Sequence, residues 1–100
     1  MILVYVTLNN PEEARKIGKK LLNKKLANCI NFFPITCIYN YENEIAEEPE
    51  VVLIIKTMEN KFNEVETVIK AHINYENFIG QIKVGKINNE FENWLNNIVK

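Results

Sequence analysis

Two cysteines and a single histidine are the side chains with the widest chemistry in this sequence. Cys29 and Cys37 lie in one apolar segment, and His72 is the only histidine. In an extended strand, the separation of the two cysteines corresponds to about 26 Å, whereas the Cα atoms of a disulfide lie within about 7 Å. Only a fold-back at Pro34 would bring the sulfurs together. The same distance argues against a shared zinc ion, and the chain has no CxxC or HxxxH pattern.

A reactive thiol would need a base, and the sequence offers only one imidazole. His72 could serve if it approached Cys29, but it also ends a predicted helix, where histidine commonly interacts with the helix dipole. Free cysteines commonly behave as small buried hydrophobes, and this is what we expect of Cys37. The chain is therefore not expected to be an enzyme.

Three further groups could bind a ligand, and each has a structural alternative. Lys56 ends a buried strand, so it either reaches the rim or holds an anion in a pocket. Tyr39 and Tyr41 share a strand face, where they pack on the sheet or form a stacking platform. An acidic cluster is expected at a solvated hairpin tip, with a weak cation site as the alternative. Its members are Glu42, Glu44, Glu47, Glu48 and Glu50.

Composition excludes several classes of protein. The chain has 100 residues, 47% hydrophobic and 25% charged, with a formal net charge of −1, which is typical of one globular domain spanning residues 1–100. Without a basic face, nucleic-acid binding is not expected. No apolar run reaches the roughly 20 residues of a membrane span. No signal-peptide pattern is present at the start, and two cysteines in such a chain indicate the reducing cytoplasm.

The elements that must position these residues alternate between strand and helix. Hydrophobic periodicity and capping residues define them. In order they are a strand over 2–8, a helix from Pro11 to about Lys25, an extended segment over 28–41, an acidic turn over 42–50, a strand over 50–57, a helix capped by Asn60, a strand over 78–87 and a helix capped by Asn88 or Asn89. This β-α-β-β-α-β order predicts an α+β, ferredoxin-like antiparallel sheet with an extra C-terminal helix.

One face of the predicted sheet lacks a cover. The strands over 2–8 and 50–57 are apolar on both sides, so both faces of the sheet should be buried. Both crossover helices lie on one face, and only the small last helix is left for the other, which we call the open face. Self-association is the expected remedy.

Several short motifs follow one another in a recognisable order along nearly the whole chain. LANCIN (26–31) is similar to an L-A-A-C-V-N signature, and a glutamate precedes a strand that ends in Lys-Thr. The matching positions outside that signature are Thr7, Ala14, Pro34, Tyr39, Tyr41 (usually Trp), Glu50, Lys56, Thr57 and Trp94. In this order and spacing they resemble the CutA family, the divalent-cation tolerance proteins.

The resemblance implies a ferredoxin-like fold and a PII-like homotrimer in which long hairpins wrap neighbouring subunits. It further implies an association with tolerance to copper and other divalent cations, with no enzymatic activity attached. The implied site is an intersubunit cavity. Its metal ligands would be His72 and Cys29, and its ligand pocket would be lined by Tyr39, Lys56, Tyr75 and Glu76.

The segment after the second helix departs from the family. HINYENFIG stands where members usually have H-P-Y-E-x-P-E, so His72 is in place while Tyr75 and Glu76 are displaced by one residue. Members with a proposed copper site carry a cysteine and a further histidine where this chain has Val6 and Ala71. One imidazole is a poor site for a soft metal.

These observations predict a small cytoplasmic, non-catalytic homotrimer that binds a divalent cation such as copper weakly or has a structural or signalling role. The alternative is a PII-like trimer that binds a small anionic metabolite in the intersubunit pocket through Lys56. His72 or Glu76 would then be available for proton transfer. Neither nucleic acid nor membrane is expected as a partner.

Overall fold

The computed structural model describes residues 1–100 and shows a four-stranded antiparallel sheet with three helices. The strands stand in the order β2-β3-β1-β4. The elements are β1 (Ile2–Leu8), α1 (Pro11–Asn23), β2 (Cys29–Tyr41), β3 (Glu44–Thr57), α2 (Phe62–Ala71), β4 (Ile79–Lys83) and α3 (Asn89–Ile98), with a short 3₁₀ turn over Glu59–Lys61. The predicted α+β class and β-α-β-β-α-β order are confirmed. None of the three helices is both long and apolar enough to cross a membrane.

Alternation along β1 divides the sheet into a helix-covered face and the open face. Every second residue of β1, from Ile2 to Leu8, is buried, and the residues between them are only partly buried. The buried set packs in one core with apolar side chains of α1 and α2, such as Ile17 and Ile69. α1 begins where the sequence predicts, because the side chain of Asn10 accepts a hydrogen bond from the backbone N–H of Glu13 at 2.9 Å.

β2 and β3 form a hairpin that is much longer than the other strands. Its pairing runs from Cys29 opposite Lys56 to Tyr41 opposite Glu44. The turn consists of residues 42 and 43, which have φ angles of 49° and 66°, as a type I′ turn requires. β1 pairs only with Val51–Thr57 of β3, so the distal half of the hairpin extends beyond the sheet. The molecule consequently measures 47 × 26 × 20 Å.

The prediction of an acidic turn over residues 42–50 is wrong. Only Glu42 and Asn43 form the turn, and Glu44 is the first residue of β3. Cross-strand pairing with β2 outweighs the weak strand preference of glutamate. Pro34 stands opposite Val51 within β2, which is a strand at the edge of the sheet, where a missing N–H is tolerated.

Two other boundaries differ from the prediction. α2 begins at Phe62 rather than after Asn60, because the 3₁₀ turn comes first, with the N–H of Lys61 donating to the carbonyl of Met58 at 3.0 Å. β4 ends at Lys83 rather than at residue 87, because its partner β1 begins at Ile2, directly opposite Lys83. A strand cannot extend its ladder past the end of its neighbour.

α3 covers one end of the open face. The side chains of Leu95, Val99 and Val52 are buried, yet they lie outside the core beneath α1 and α2. The Lys56 ammonium lies 5.6 Å from the centroid of the Phe91 ring, which places α3 beside the C-terminal end of β3. The rest of the face keeps large apolar side chains exposed, namely Phe33, Phe78 and Ile82.

Candidate functional site: an acidic cleft

A cleft of ≈ 630 Å³ lies between the hairpin and the C-terminal end of β1. It is the largest concave feature of the chain and lies at the end of the open face that α3 leaves free. Its lining consists of Thr7, Asn9, Cys37, Tyr39, Asn40, Tyr41, Glu48, Glu50, Tyr75, Glu76 and Phe78. Three residues of the lining are glutamates, and none is basic. We call it the acidic cleft.

The hairpin wall of the acidic cleft follows from strand alternation. Cys37, Tyr39 and Tyr41 are two residues apart on β2, so their side chains point to the same face. Glu48 stands directly opposite Cys37 on β3, and Glu50 lies two residues further along the same face. The rings of Tyr39 and Tyr41 meet edge to face with centroids 6.4 Å apart. The wall therefore combines a thiol, two phenols and two carboxylates.

The opposite wall is the segment over residues 75–78, held in place by hydrogen bonds. The Tyr75 hydroxyl donates to the Glu13 carboxylate and accepts from the backbone N–H of Asn9 at 3.2 Å. The Asn77 side-chain amide donates to the carbonyl of Thr7 at 2.8 Å. This segment is therefore fixed against both the end of β1 and the start of α1, which gives the cleft one preformed side.

The surroundings of the Cys37 thiol and of the Tyr39 and Tyr75 phenols favour their neutral forms. Burial and the neighbouring Glu50 and Glu48 carboxylates raise the pKa of the Cys37 thiol. A hydrogen bond to Glu48, together with burial, raises the pKa of Tyr39. Burial and the hydrogen bond to Glu13 raise the pKa of Tyr75 well above its ordinary value. The formal charge of the cleft therefore comes from its three glutamates.

Cys29 and Lys56 lie at the opposite end of the open face. They stand directly opposite each other on β2 and β3, and the Lys56 ammonium donates to the Cys29 sulfur at 3.5 Å. Lys56 also borders a smaller cavity of ≈ 390 Å³, which contains Lys86 and Phe91 but no carboxylate. We call this region the basic end. An ammonium beside the sulfur disfavours binding of a divalent cation at Cys29.

His72 belongs to neither cavity. It follows the last residue of α2, and its Nδ1 lies 2.8 Å from the carbonyl oxygen of Val68. The predicted position at a helix end is confirmed. Within one chain, no group of three or more His, Cys, Asp or Glu side chains is arranged to hold a metal ion.

The sequence model of a known family, described as CutA1 divalent ion tolerance protein, matches residues 2–98. The chain belongs to this CutA1 family. The divalent-cation tolerance protein CutA of Thermotoga maritima is 42% identical over 96 residues, which cover 95% of each chain. That of Archaeoglobus fulgidus is 38% identical over 98 residues, covering 97% of this chain and 96% of the relative.

Solved structures agree with this assignment. The periplasmic divalent cation tolerance protein CutA from Archaeoglobus fulgidus matches with a TM-score of 0.95 at 37% identity, covering 100% of both chains. CutA1 from Oryza sativa matches with a TM-score of 0.94 at 30% identity, covering 99% of this chain and 93% of that one. The resemblance that LANCIN and the other motifs carry is confirmed.

In this CutA1 chain, the structure gathers only part of the predicted pocket. Tyr39 meets Tyr75 and Glu76 in the acidic cleft, although it is far from them in the sequence. Lys56 and Cys29 lie together at the basic end, and His72 is separate from both groups. A single cavity containing all six residues would therefore need more than one subunit, and that arrangement stays a prediction.

Sequence reasoning places Glu48 and Glu50 at a solvated hairpin tip, with a weak cation site as the alternative, and does not connect them with Tyr39, Tyr75 and Glu76. It predicts Cys37 as a packing residue, whereas Cys37 also lines the cleft. The spacing of residues 37, 39 and 41 was a usable signal, because a continuous strand places them on one face. The acidic composition of residues 42–50 concealed the partner strand that completes the wall.

Proposed function

We propose that this CutA1 family member is a homotrimer that binds divalent metal cations weakly in the acidic cleft, with copper(II) the first cation to test. The observation that carries the proposal is the lining of the cleft, which has three glutamates and no basic residue. Membership of the CutA1 family supplies the connection with divalent cations.

The electrostatics of the cleft favour a cation of modest affinity. Glu48 and Glu50 stand on one strand face, and neither forms an ion pair within the chain. A divalent cation between them would offset their mutual repulsion, and the amide and phenol oxygens nearby offer additional weak ligands. Because one chain provides no complete set of strong ligands, water or a neighbouring subunit would fill the remaining positions.

Isothermal titration of the metal-free protein with Cu(II), Zn(II) and Mg(II) tests this site. We expect Glu48→Gln combined with Glu50→Gln to weaken Cu(II) binding by about tenfold or more, which is about 1.4 kcal/mol. The matched control is Glu44→Gln combined with Glu47→Gln, which removes the same charge from the same hairpin outside the cleft. Equal losses in the two double variants, or no loss in the first, would contradict the proposal.

The metal ligands implied by the family resemblance are tested in the same titration. His72→Ala and Cys29→Ala should leave Cu(II) affinity within about twofold if the cation occupies the acidic cleft. Loss of binding in either variant, with the Glu48/Glu50 double variant unaffected, would place the cation in the predicted intersubunit cavity instead.

The homotrimer is the second element of the proposal, in a PII-like arrangement. Its support is the open face, where Phe33, Phe78 and Ile82 are exposed beyond the reach of α3. The projecting hairpin also has no cover within one chain. Light scattering on a sizing column should give about three times the chain mass of 11.7 kDa. A mass equal to one chain would refute the trimer.

A non-catalytic role in the cytoplasm completes the proposal. Cys29 contacts Lys56, and the cleft that Cys37 lines does not contain His72, whose ring contacts the carbonyl of Val68 instead. Both cysteines are free, as is typical of proteins in reducing compartments. Cell fractionation with a compartment marker tests the location, and recovery outside the cytoplasm would overturn it.

The alternative, a small anion bound through Lys56, has a physical location at the basic end. The cavity there joins Lys56 and Lys86 with the Phe91 ring, but it contains neither His72 nor Glu76. The proton transfer predicted for this alternative would therefore need a second subunit, and the relatives lend this function no support. Titration with inorganic phosphate, with Lys56→Met as the comparison, tests whether anions bind there.

A further inference from the structure

The contact between Cys29 and Lys56 joins two reactive groups that neither the fold nor the cation proposal requires. The Lys56 Nζ lies 3.5 Å from the Cys29 Sγ, and both residues are partly buried. They stand opposite each other in the β2–β3 ladder, so the backbone itself sets their proximity. The pair is therefore a constrained one, unlike two long surface side chains that meet by chance.

The Lys56 amine is not bound to a carboxylate. The chain's four ion pairs all involve other residues, and besides the sulfur the ammonium faces only the Phe91 ring. Its flexible four-carbon stem allows the nitrogen to approach the sulfur more closely. Lys56 also borders the cavity of ≈ 390 Å³ at the basic end, and Cys29 is itself only partly buried.

The sulfur has no other partner within the chain. Cys37 lies on the same strand, and its distance of about 26 Å along that strand rules out a disulfide with Cys29. An oxidised Cys29 therefore has the Lys56 amine, and no second thiol, as its neighbouring nucleophile. A sulfenic acid is known to condense with nitrogen as well as with thiols.

We propose that Cys29 and Lys56 are a peroxide-dependent cross-linking site, at which oxidation of the thiol leads to a covalent sulfur–nitrogen bond between β2 and β3.

The chemistry requires hydrogen peroxide as the only co-reactant. The Cys29 sulfur attacks one peroxide oxygen, the O–O bond breaks, and a sulfenic acid and one water form. The unprotonated Lys56 nitrogen then attacks the sulfur, the S–O bond breaks, and the departing hydroxide takes a proton and leaves as a second water. Sulfur is oxidised by two electrons and the peroxide is reduced to water. A thiol reductant reverses the bond.

Mass spectrometry of the full-length, peroxide-treated protein tests the cross-link. After digestion without reductant, we expect the peptide containing Cys29 to be joined to the peptide containing Lys56, with a net loss of two hydrogen atoms. Treatment with dithiothreitol should separate the two peptides. Cys37→Ser serves as the control variant, and it should give the same linked product.

The Lys56→Arg variant tests whether the cross-link needs a nucleophilic amine at position 56 or only a positive charge there. The guanidinium keeps the positive charge at this position, so the variant should fold, and a thermal melt verifies this. In Lys56→Arg the linked peptides should fall to background, and trapping of the Cys29 sulfenic acid by dimedone should rise severalfold. Equal trapping in the two proteins, a disulfide from Cys29 to another chain, or a Cys29 thiol that peroxide leaves unmodified would overturn the proposal.

Discussion

The two ends of the open face have opposite charge, although one sheet forms them both. The cleft at the C-terminal end of β1 has three glutamates and no basic residue, whereas the cavity at the other end has two lysines and no carboxylate. α3 packs on the second end, where Leu95 is buried and Phe91 lines the cavity. Residues that the family resemblance assigns to one cavity are thus divided between two regions, with Cys29 and Tyr39 about 33 Å apart along β2.

This difference shows that β2 and β3 serve two purposes. At the basic end they are part of a covered sheet, and their side chains meet a helix. At the acidic end the two strands extend beyond β1 and pair only with each other. The alternation of side chains along them there presents polar residues to solvent. Stability and ligand binding should therefore respond to substitutions at different ends of the same hairpin.

The largest expected effect is on stability at the covered end. Leu95→Ala removes a fully buried side chain of α3 and should lower the free energy of unfolding by about 2–4 kcal/mol. The matched change at the distal end of the hairpin is Ile45→Ala, which truncates a residue that is exposed within one chain and should cost less than about 0.5 kcal/mol unless the subunit contacts of the proposed trimer cover it. Urea denaturation measures both. A cost at Ile45 that equals the cost at Leu95 would mean that subunit contacts bury the hairpin tip.

A smaller effect is expected at the wall of the acidic cleft. Tyr75→Phe removes the hydrogen bond to Glu13 and should cost about 1 kcal/mol at pH 7.

The same substitution should change the response to alkali. The folded-state pKa of Tyr75 is raised, so its contribution to stability is complete below the unfolded value of about 10 and is lost as the pH rises above it. Melting temperatures between pH 8 and pH 11 should fall more steeply for the natural protein than for Tyr75→Phe. Parallel curves would contradict the assigned role of the phenol.

The smallest expected effect concerns the reactivity of one thiol. Burial and the Glu50 and Glu48 carboxylates raise the pKa of Cys37 by disfavouring its thiolate, so replacing both glutamates with glutamine should lower that pKa. Alkylation of Cys37 by iodoacetamide at pH 8 should then become about threefold faster. Cys29 is the internal control, because it lies at the other end of the face. An equal acceleration at both cysteines would indicate general loosening of the sheet.

Local patterns were sufficient to predict most of the fold. Asn10 and the proline that follows it defined the start of α1, and the unbroken apolar run over 2–8 defined β1. The predicted strand boundaries were wrong where pairing with a neighbouring strand determines how far a strand extends. Glu44–Glu50 became strand because β2 lies beside it, and β4 ended early because β1 has no residue left to pair with it.

The candidate site was less predictable for the same physical reason. Tyr39 and Tyr75 were singled out as pocket residues on the family resemblance, and they do line one cleft. Glu48 enters that cleft only because its register places it opposite Cys37, and periodicity within one segment contains no information about register. Likewise, the separation of Lys56 from His72 depends on which ends of β3 and α2 meet in the fold.

The length of the hairpin also has a consequence for the order of folding. A two-residue turn closes β2 on β3, so these strands can pair through local contacts before the rest of the sheet assembles. The acidic cleft needs in addition the segment over 75–78, whose hydrogen bonds with residues 7, 9 and 13 join positions 62 to 70 residues apart in the chain. We therefore expect the cleft to form late and to exist only in the native state. A cation bound there stabilises that state alone, so the melting temperature should rise with metal concentration.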